Sequence, residues 1–197
     1  MNVSRAEELL GLAAAEKVRL ERHLLVAAAL REVLAHEPVV VGGTAEEYYT
    51  VDEYHETDLD LCTWLSPPEE ALLGDLGLEQ DGRHWVHLAS KVAVEFPESR
   101  IAGDEARIRR ERVGSGEVAI IGVEDLYLDR VRQATADPEQ ESVSYHSGLA
   151  IGAAAFDVID WPYVEAQIQA TLDTDPPLGR LMKTIDGRIR RTIRRRA

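Results

Sequence analysis

The chain has 197 residues, of which 36 are Asp or Glu and 22 are Lys or Arg, so its formal net charge is −14 at pH 7. This length fits one domain with a helical extension better than two full domains. The acidic balance argues against a broad nucleic-acid-binding face, because such binding depends on cations that neutralise phosphates. Hydrophobic residues make up 45% and charged residues 29%, a composition typical of globular proteins.

Two further absences in the sequence narrow the class of protein. No apolar run approaches the length of a bilayer-spanning helix, and the first ten residues lack the basic start and apolar stretch of a secretory signal. We therefore expect a cytoplasmic protein with no membrane partner. Cys62 is the only cysteine, so the chain alone can form neither an internal disulfide nor a cysteine-based zinc cage.

The first half of the chain predicts helices followed by a strand and a second short helix. Apolar and charged residues alternate with helical periodicity over 6–35. The run "VVV" at 39–41 predicts a short buried strand that Gly42 and Gly43 end, and "TAEEYY" at 44–49 predicts a helix directly after the glycines.

Further strands are predicted in the middle of the chain. In "DLDLC" at 58–62, the alternation of a strand places Asp58 and Asp60 on one face and the two leucines on the other. The segments "RHWVHLA" (83–89) and "KVAVEF" (91–96) predict a pair of strands, and Glu95 is the polar exception in the second.

The segment "EVAIIG" at 117–122 predicts the last strand, and the pattern from residue 123 onward is helical. The predicted fold class is therefore α+β, with a small mixed β-sheet core flanked by an N-terminal helix and a C-terminal helical part. We expect the core with its N-terminal helix to span 1–135 and the C-terminal helical region to span 136–197.

The glycine pair and the acids suggest chemistry. A strand, a Gly-Gly turn and a helix start present backbone N–H groups to which a phosphate can come close, and Thr44 could add a hydroxyl donor. The alternative is that the glycines only reverse the chain direction. Asp58 and Asp60 lie one pleat apart, a spacing that lets two carboxylates share hard divalent cations. Their alternative is a solvated strand face.

Glu95 adds a third carboxylate on a separate strand that could lie alongside. Three carboxylates can hold two Mg²⁺ ions, which activate an attacking hydroxyl and neutralise the charge on a transferred phosphoryl group. The alternative for Glu95 is an acid on an edge strand that deters pairing with other sheets.

Taken together, "VGGTAEEYY…TDLDL" and the later acid in "VAVEF" resemble the DNA polymerase β-like nucleotidyltransferase superfamily. The continuation "EVAIIGVEDLYLDRVRQA" and "IDWPYVEAQI" is similar to minimal bacterial and archaeal nucleotidyltransferase-like proteins related to the AbiEii and MenT toxins. The resemblance covers roughly residues 36–172, and its first part is the more specific.

The resemblance implies roles for seven residues. The triphosphate of an NTP would be held by Gly42, Gly43 and Thr44, and Mg²⁺ would be bound by the catalytic acids Asp58, Asp60 and Glu95. Many relatives have a lysine that faces the phosphates, and Arg130 is the nearest candidate here. Its alternative is an ion pair with a neighbouring helical acid.

The implied function is a Mg²⁺-dependent nucleotidyltransferase that moves a nucleoside monophosphate from an NTP to an acceptor hydroxyl. The acceptor would be an RNA such as tRNA, a protein or a small molecule, and the role would be toxin-like. One alternative is a catalytically inactive binding protein of a two-gene toxin–antitoxin system, with a cognate antitoxin-like partner. A weaker one is a metal-dependent phosphohydrolase that uses the same carboxylates.

Two charged regions leave alternatives open. The interval 44–57 contains five acids, which are unfavourable beside a triphosphate unless they point outward or are offset by metal: Glu46, Glu47, Asp52, Glu53 and Glu56. They could instead form a solvated helix face, with Tyr48 and Tyr49 packed inward.

The second region is basic. The tail 183–197 has seven cations and one acid, so its net charge is 7 − 1 = +6, and "RIRRER" at 107–112 is a second basic segment that could approach a nucleotide or an RNA backbone. The tail could contact RNA, bind another anionic partner or dock on the acidic face of the protein itself.

Overall fold

The computed structural model describes residues 1–50, 58–138 and 141–196. Its internal contacts divide the chain into two compact units: of the described residues, the first unit holds 1–48 and 58–121 and the second holds 49–50, 122–138 and 141–196. The expected division into 1–135 and 136–197 stays a prediction about domains. Within the described ranges, no helix has both the length and the apolar content needed to cross a membrane.

A seven-stranded mixed sheet forms the centre of the first unit. Its strands are β1 Val39–Val40, β2 Asp58–Cys62, β3 Leu78–Asp81, β4 His84–His87, β5 Val92–Glu95, β6 Arg109–Val113 and β7 Gly116–Ile120. Their order is β3-β4-β5-β2-β1-β7-β6. The pairs β1/β7 and β2/β5 are parallel, and the other four pairs are antiparallel. The predicted α+β class with a mixed sheet is confirmed.

Four helices belong wholly or mainly to this unit: α1 Val3–Ala15, α2 Arg19–Arg31, α3 Gly42–Thr50 and α4 Pro67–Asp75. α1 buries one stripe at the spacing of a helix face, namely Ala6, Leu9, Leu10 and Ala13. α2 packs against α1 and β7 and is buried at every position from His23 to Leu30. The alanines of α2 and Gly116 of β7 keep this packing close, since a Cβ at residue 116 would lie 3.1 Å from the Cβ of Ala28.

Most of the basic segment 107–112 is itself a strand. Arg109–Val113 is the edge strand β6, and it lies just before β7 in the chain. Arg110 donates to Glu37 at 2.7 Å, and Arg109 donates to Glu111 at 2.5 Å. Two of its arginines are therefore paired with acids of the same unit.

The second unit contains four helices: α5 Val123–Gln133, α6 Val143–Ala154, α7 Trp161–Thr174 and α8 Pro176–Arg196. Glycines let α6 approach α8 closely, because a Cβ at Gly148 would lie 3.2 Å from Ile189 and one at Gly152 would lie 3.0 Å from Ile193. The buried side of α8 consists of Met182, Ile185, Ile189 and Ile193.

Acids at the start of α5 hold the start of α7 in place. Glu124 accepts the backbone N–H of Asp160 at 2.9 Å, and Asp125 accepts the hydroxyl of Tyr163 at 2.7 Å. Both acids are buried. Their first-turn position suits the helix macrodipole, as the sequence predicts, but the structure also gives each of them a specific partner.

Part of the basic tail docks within the second unit. Asp186 accepts the hydroxyl of Tyr127 at 2.8 Å and the guanidinium of Arg190 at 2.9 Å. Arg190 also lies 4.4 Å over the ring of Trp161. Burial and the nearby Asp186 raise the pKa of Tyr127 well above its usual value. Arg188 donates to the carbonyl of Pro138 at 2.7 Å. These contacts show that self-docking accounts for Arg188 and Arg190.

Other cations of α8 form what we call the cationic stripe: Arg180, Lys183, Arg191, Arg194 and Arg195. All five are exposed, and none has an ion pair within the ranges 1–50, 58–138 and 141–196. At 100° per residue they share one side of the helix, over a length of about 22 Å. The stripe is therefore a local concentration of positive charge on an acidic protein.

A buried carboxylate ties the start of α4 to the chain that leaves α2. Glu69 accepts the backbone N–H of Ala35 at 2.7 Å, the backbone N–H of Ser66 at 2.8 Å and the Ser66 hydroxyl at 2.5 Å. Burial alone would raise the pKa of Glu69, but these hydrogen bonds outweigh it and hold the pKa below 4.5. The ionised form is thus the stabilising one.

We expect Glu69→Ala to lower the free energy of unfolding by about 2–3 kcal/mol, because buried N–H groups lose a charged acceptor. Urea denaturation at pH 7 measures this loss, and Glu70→Ala, at the exposed neighbouring position, is the matched control. Because the folded-state pKa is lowered, the contribution is present above pH 4.5 and is lost as the pH falls through the folded value. A difference that persists undiminished at pH 3 would contradict this account.

Candidate metal and nucleotide site

The strand pairing brings the three predicted acids to one face of the sheet. In the parallel pair of β2 and β5, Asp58 lies opposite Ala93 and Asp60 lies opposite Glu95. Directly paired residues point to the same side of a sheet, and residues two apart do as well. Asp58, Asp60 and Glu95 therefore share a face, while Leu59 and Leu61 on the other face are fully buried.

His84 of β4 joins this face. It lies opposite Glu95 in the antiparallel pair of β4 and β5. Its Nε2 is 3.3 Å from Oδ2 of Asp58 and 3.5 Å from Oε2 of Glu95. Among the described residues, these three form one group whose potential ligand atoms all lie within 4.8 Å of one another. Two carboxylates and an imidazole at such distances are a donor set that fits a divalent cation.

Two observations bear on whether Asp58, His84 and Glu95 fit a divalent cation. Nε2 of His84 is buried and makes no hydrogen bond within the described part of the chain, although it lies between two acidic oxygens. Glu95 also pairs with Arg83 at 3.2 Å, and the Arg83 side chain is 72% exposed. The cation beside Glu95 is thus an exposed surface arginine, and the imidazole nitrogen between the two acids makes no hydrogen bond to the described residues.

Asp60 lies next to the predicted glycine turn and not in that three-residue group. The N–H of Val41 donates to the backbone oxygen of Asp60 at 3.0 Å. Gly42 has φ +61°, and a Cβ built there would overlap the Asp60 carboxylate. Residue 42 must therefore be glycine for two reasons, its left-handed backbone and the nearby carboxylate. The metal-binding roles of Asp58, Asp60 and Glu95 stay predictions.

The helix also begins earlier than expected. α3 starts at Gly42 and includes both glycines, so its first turn contains Gly42, Gly43 and Thr44. The first N–H groups of a helix have no partner inside it and favour anions. The predicted triphosphate contacts of these three residues are not tested by this geometry, but the backbone they require is present.

The side chain of Thr44 is engaged in the interior. Its hydroxyl donates to the backbone oxygen of Asp58 at 3.2 Å, so its oxygen accepts from Nδ1 of His23 at 3.1 Å. Burial, with repulsion from Arg19 and Arg22, lowers the pKa of His23 to about 4, which keeps this imidazole neutral near pH 7. What Thr44 can offer to a phosphate is its backbone N–H.

The acids at the start of the 44–57 interval do not form a solvated face. Glu46 and Glu47 are buried, and Glu47 pairs with Arg19 at 2.8 Å. The half-buried Tyr48 donates to Glu111 at 2.9 Å. The alternative of a solvated acidic face is therefore wrong at Glu46 and Glu47. Asp52, Glu53 and Glu56 lie outside the described residues.

Arg130 belongs to α5 in the second unit. Its guanidinium pairs with Asp129 at 3.1 Å and donates to Gln133 at 3.2 Å. The ion pair that the sequence offers as its alternative role is thus observed. The assignment of Arg130 to phosphate binding stays a prediction.

His84 is the residue that sequence reasoning missed, because the scattered histidines show no metal-ligand spacing. The available signal was that His84 begins a strand directly after Gly82 and Arg83 in a predicted strand pair. In such a pair, the first residue of one strand can face the last residue of the other, which here is Glu95. The sequence does not fix the length of the loop between these two strands, so it does not fix which residues of β4 and β5 lie opposite each other.

We expect Gly42→Ala to destabilise the first unit beyond the cost of its backbone conformation. Gly82→Ala is the matched control, because Gly82 has the same φ of +61° but nothing within 4 Å of a new Cβ. Placing Ala in the left-handed region costs about 1–2 kcal/mol at either site. At residue 42 the methyl group must also displace the Asp60 carboxylate, so urea denaturation should show the larger loss there. Equal losses in the two variants would mean that Asp60 moves away at no cost.

Comparisons with known proteins are sparse. No protein-family model matches the chain, and no curated protein matches it. Among solved structures, it is similar to an antigenic nucleotidyltransferase-like protein from Paracoccidioides brasiliensis, with 12% sequence identity and a TM-score of 0.48. The match covers 92% of this chain and 93% of that chain.

Proposed function

We propose that the protein is a metal-dependent nucleotidyltransferase that transfers a nucleoside monophosphate from an NTP to an acceptor hydroxyl. The observation that carries the proposal is the convergence of Asp58 and Glu95, with Asp60 in register beside Glu95, next to a glycine-started helix. Acids from two strands supply cation ligands, and the helix start supplies anion-binding N–H groups. The resemblance of these residues to the polymerase β-like pattern supports the same reading.

The proposed reaction is a displacement at the α-phosphorus. The acceptor oxygen bonds to this phosphorus, the bond from it to the β-phosphate oxygen breaks, and pyrophosphate leaves with the electron pair. Glu95 takes the proton of the acceptor hydroxyl. A divalent ion such as Mg²⁺, held by Asp58, Asp60 and Glu95, would supply charge neutralisation for the phosphates. The chain itself positions the nucleotide through the N–H groups at the start of α3.

For the acceptor we propose RNA, and the cationic stripe supports this class. Phosphate contacts dominate nucleic-acid affinity, and arginines bind phosphates with paired N–H groups. Five exposed cations along about 22 Å of α8, none of them in an ion pair with a described residue, provide such contacts on a protein whose net charge is otherwise unfavourable. An RNA acceptor would suit a toxin-like role with an antitoxin-like partner, as the sequence resemblance implies.

We expect Asp58→Asn to reduce label transfer from α-labelled NTPs to RNA at least about a hundredfold. Loss of one metal-binding carboxylate removes several kcal/mol of transition-state stabilisation, and 1.36 kcal/mol corresponds to a factor of ten. The assay uses each of the four NTPs with Mg²⁺ or Mn²⁺ and total RNA, and it follows both labelled RNA and released pyrophosphate.

Asp75→Asn is the control, since Asp75 is an exposed acid at the end of α4. It should leave transfer unchanged.

NTP consumption without labelled product would indicate the phosphohydrolase instead. Nucleotide binding without any turnover in the wild type would indicate the inactive binding protein. Either result would overturn the transferase.

We expect the triple variant Arg191→Gln, Arg194→Gln, Arg195→Gln to bind RNA at least tenfold more weakly at 100 mM salt. Each phosphate contact contributes about 0.7 to the slope of log affinity against log salt for single strands, so three lost contacts should make the slope shallower by about 2. Fluorescence anisotropy of a labelled RNA across a salt series measures both quantities.

The matched control removes three exposed cations elsewhere, namely Lys17, Lys91 and Arg100, each replaced by Gln. Both triple variants have the same net charge, so a general charge effect would weaken RNA binding in both equally. That outcome would rule out the stripe as the binding surface.

A further inference from the structure

His84 is a group near the predicted acids to which the polymerase-like pattern assigns no role. It begins β4, and the sheet order β4-β5-β2 places three neighbouring strands side by side. One acidic or imidazole side chain from each strand, His84, Glu95 and Asp58, reaches the same point on the same face. The pairing of three strands therefore brings these side chains together.

The imidazole of His84 lies close to two carboxylates, but its Nε2 forms no hydrogen bond with them. Nε2 lies at 3.3 Å and 3.5 Å from its two acidic neighbours, yet it is buried and makes no hydrogen bond to any part of the described chain. A buried polar atom without a hydrogen bond has a free-energy cost, because it has lost its contacts with water and gained none in the protein. With Nε2 deprotonated, a cation bound jointly by this nitrogen and the two oxygens would remove this cost, because all three atoms would donate lone pairs to the ion.

We propose that His84 is a nitrogen ligand of this metal site and that the site consequently prefers Mn²⁺ to Mg²⁺. Mg²⁺ is held by oxygen ligands and keeps several waters. Mn²⁺ also suits carboxylates, but as a first-row transition metal it accepts a nitrogen ligand more readily than Mg²⁺ does. The proposal rests on the proposed function for the role of the ion, but the preference itself is a property of the ligand set. Arg83 competes with the ion for Glu95, since its exposed guanidinium pairs with Oε2 of that carboxylate.

The test is equilibrium binding, which needs no turnover. Free Mn²⁺ gives a sharp electron paramagnetic resonance signal that disappears on binding, and Mg²⁺ affinity follows from competition against Mn²⁺. His84→Gln replaces the ring nitrogen by an amide group whose oxygen is the metal ligand. We expect it to weaken Mn²⁺ binding at least tenfold and Mg²⁺ binding less than threefold. His146→Gln, at an exposed histidine of the second unit, should change neither.

His84→Asn serves as a second variant if His84→Gln unfolds, and circular dichroism verifies the fold of each. Equal losses for the two ions, or no Mn²⁺ binding by the wild type, would overturn the proposal and indicate that His84 itself serves as the cation for Asp58 and Glu95. The two proposals fail separately. Preferred Mn²⁺ binding without RNA labelling would defeat only the transferase, and RNA labelling with no His84-dependent preference would defeat only the nitrogen ligand.

Discussion

The register of the parallel pair between β2 and β5 is the constraint on which the candidate site depends. Leu59 pairs with Val94 on the buried face, and the same register sets Asp60 against Glu95 on the other. Full burial of the two apolar side chains contributes about 3–6 kcal/mol. Repulsion between two partly solvated carboxylates at about 5 Å is about 1–3 kcal/mol. The core therefore fixes the acids together despite their repulsion, and a slip by one residue would separate them.

The acidic side chains of the protein differ in the partners that compensate their negative charge. In the first unit, buried or half-buried acids have specific partners, such as Arg19 for Glu47 and backbone N–H groups for Glu69. At the candidate site, Glu95 pairs with the exposed Arg83, and Nε2 of His84 makes no hydrogen bond to any of the described residues. This contrast is the physical reason to separate the group at Asp58 from the other acids.

Sequence reasoning reached most of the helices, the strands that carry the three acids and the face of the sheet on which these acids lie, but not β3, β6 or the register of the strands. The alternation in "DLDLC" and "KVAVEF" suffices to put Asp58, Asp60 and Glu95 on polar faces, because strand periodicity is local. Which strands pair is not local, so neither the place of His84 nor the overlap of Gly42 with Asp60 was predictable. β6 was missed since four of its five residues are charged, although an edge strand tolerates charge. The composition of the tail predicts one basic segment. In the structure, Arg188 and Arg190 make contacts within the second unit, whereas Arg191, Arg194 and Arg195 are exposed.

The buried imidazole of His23, which is linked through Thr44 to the backbone of Asp58, makes the fold sensitive to acid. A buried imidazole with a folded-state pKa of about 4 stays neutral while the unfolded chain takes up a proton near pH 6.5. The unfolded state binds more protons in that interval, so the free energy of unfolding falls as the pH drops from about 6.5 towards 4, by at most about 3 kcal/mol. The strand that carries Asp58 is thus anchored through Thr44 to a buried group whose neutral form is the stable one, so protonation of His23 weakens that support.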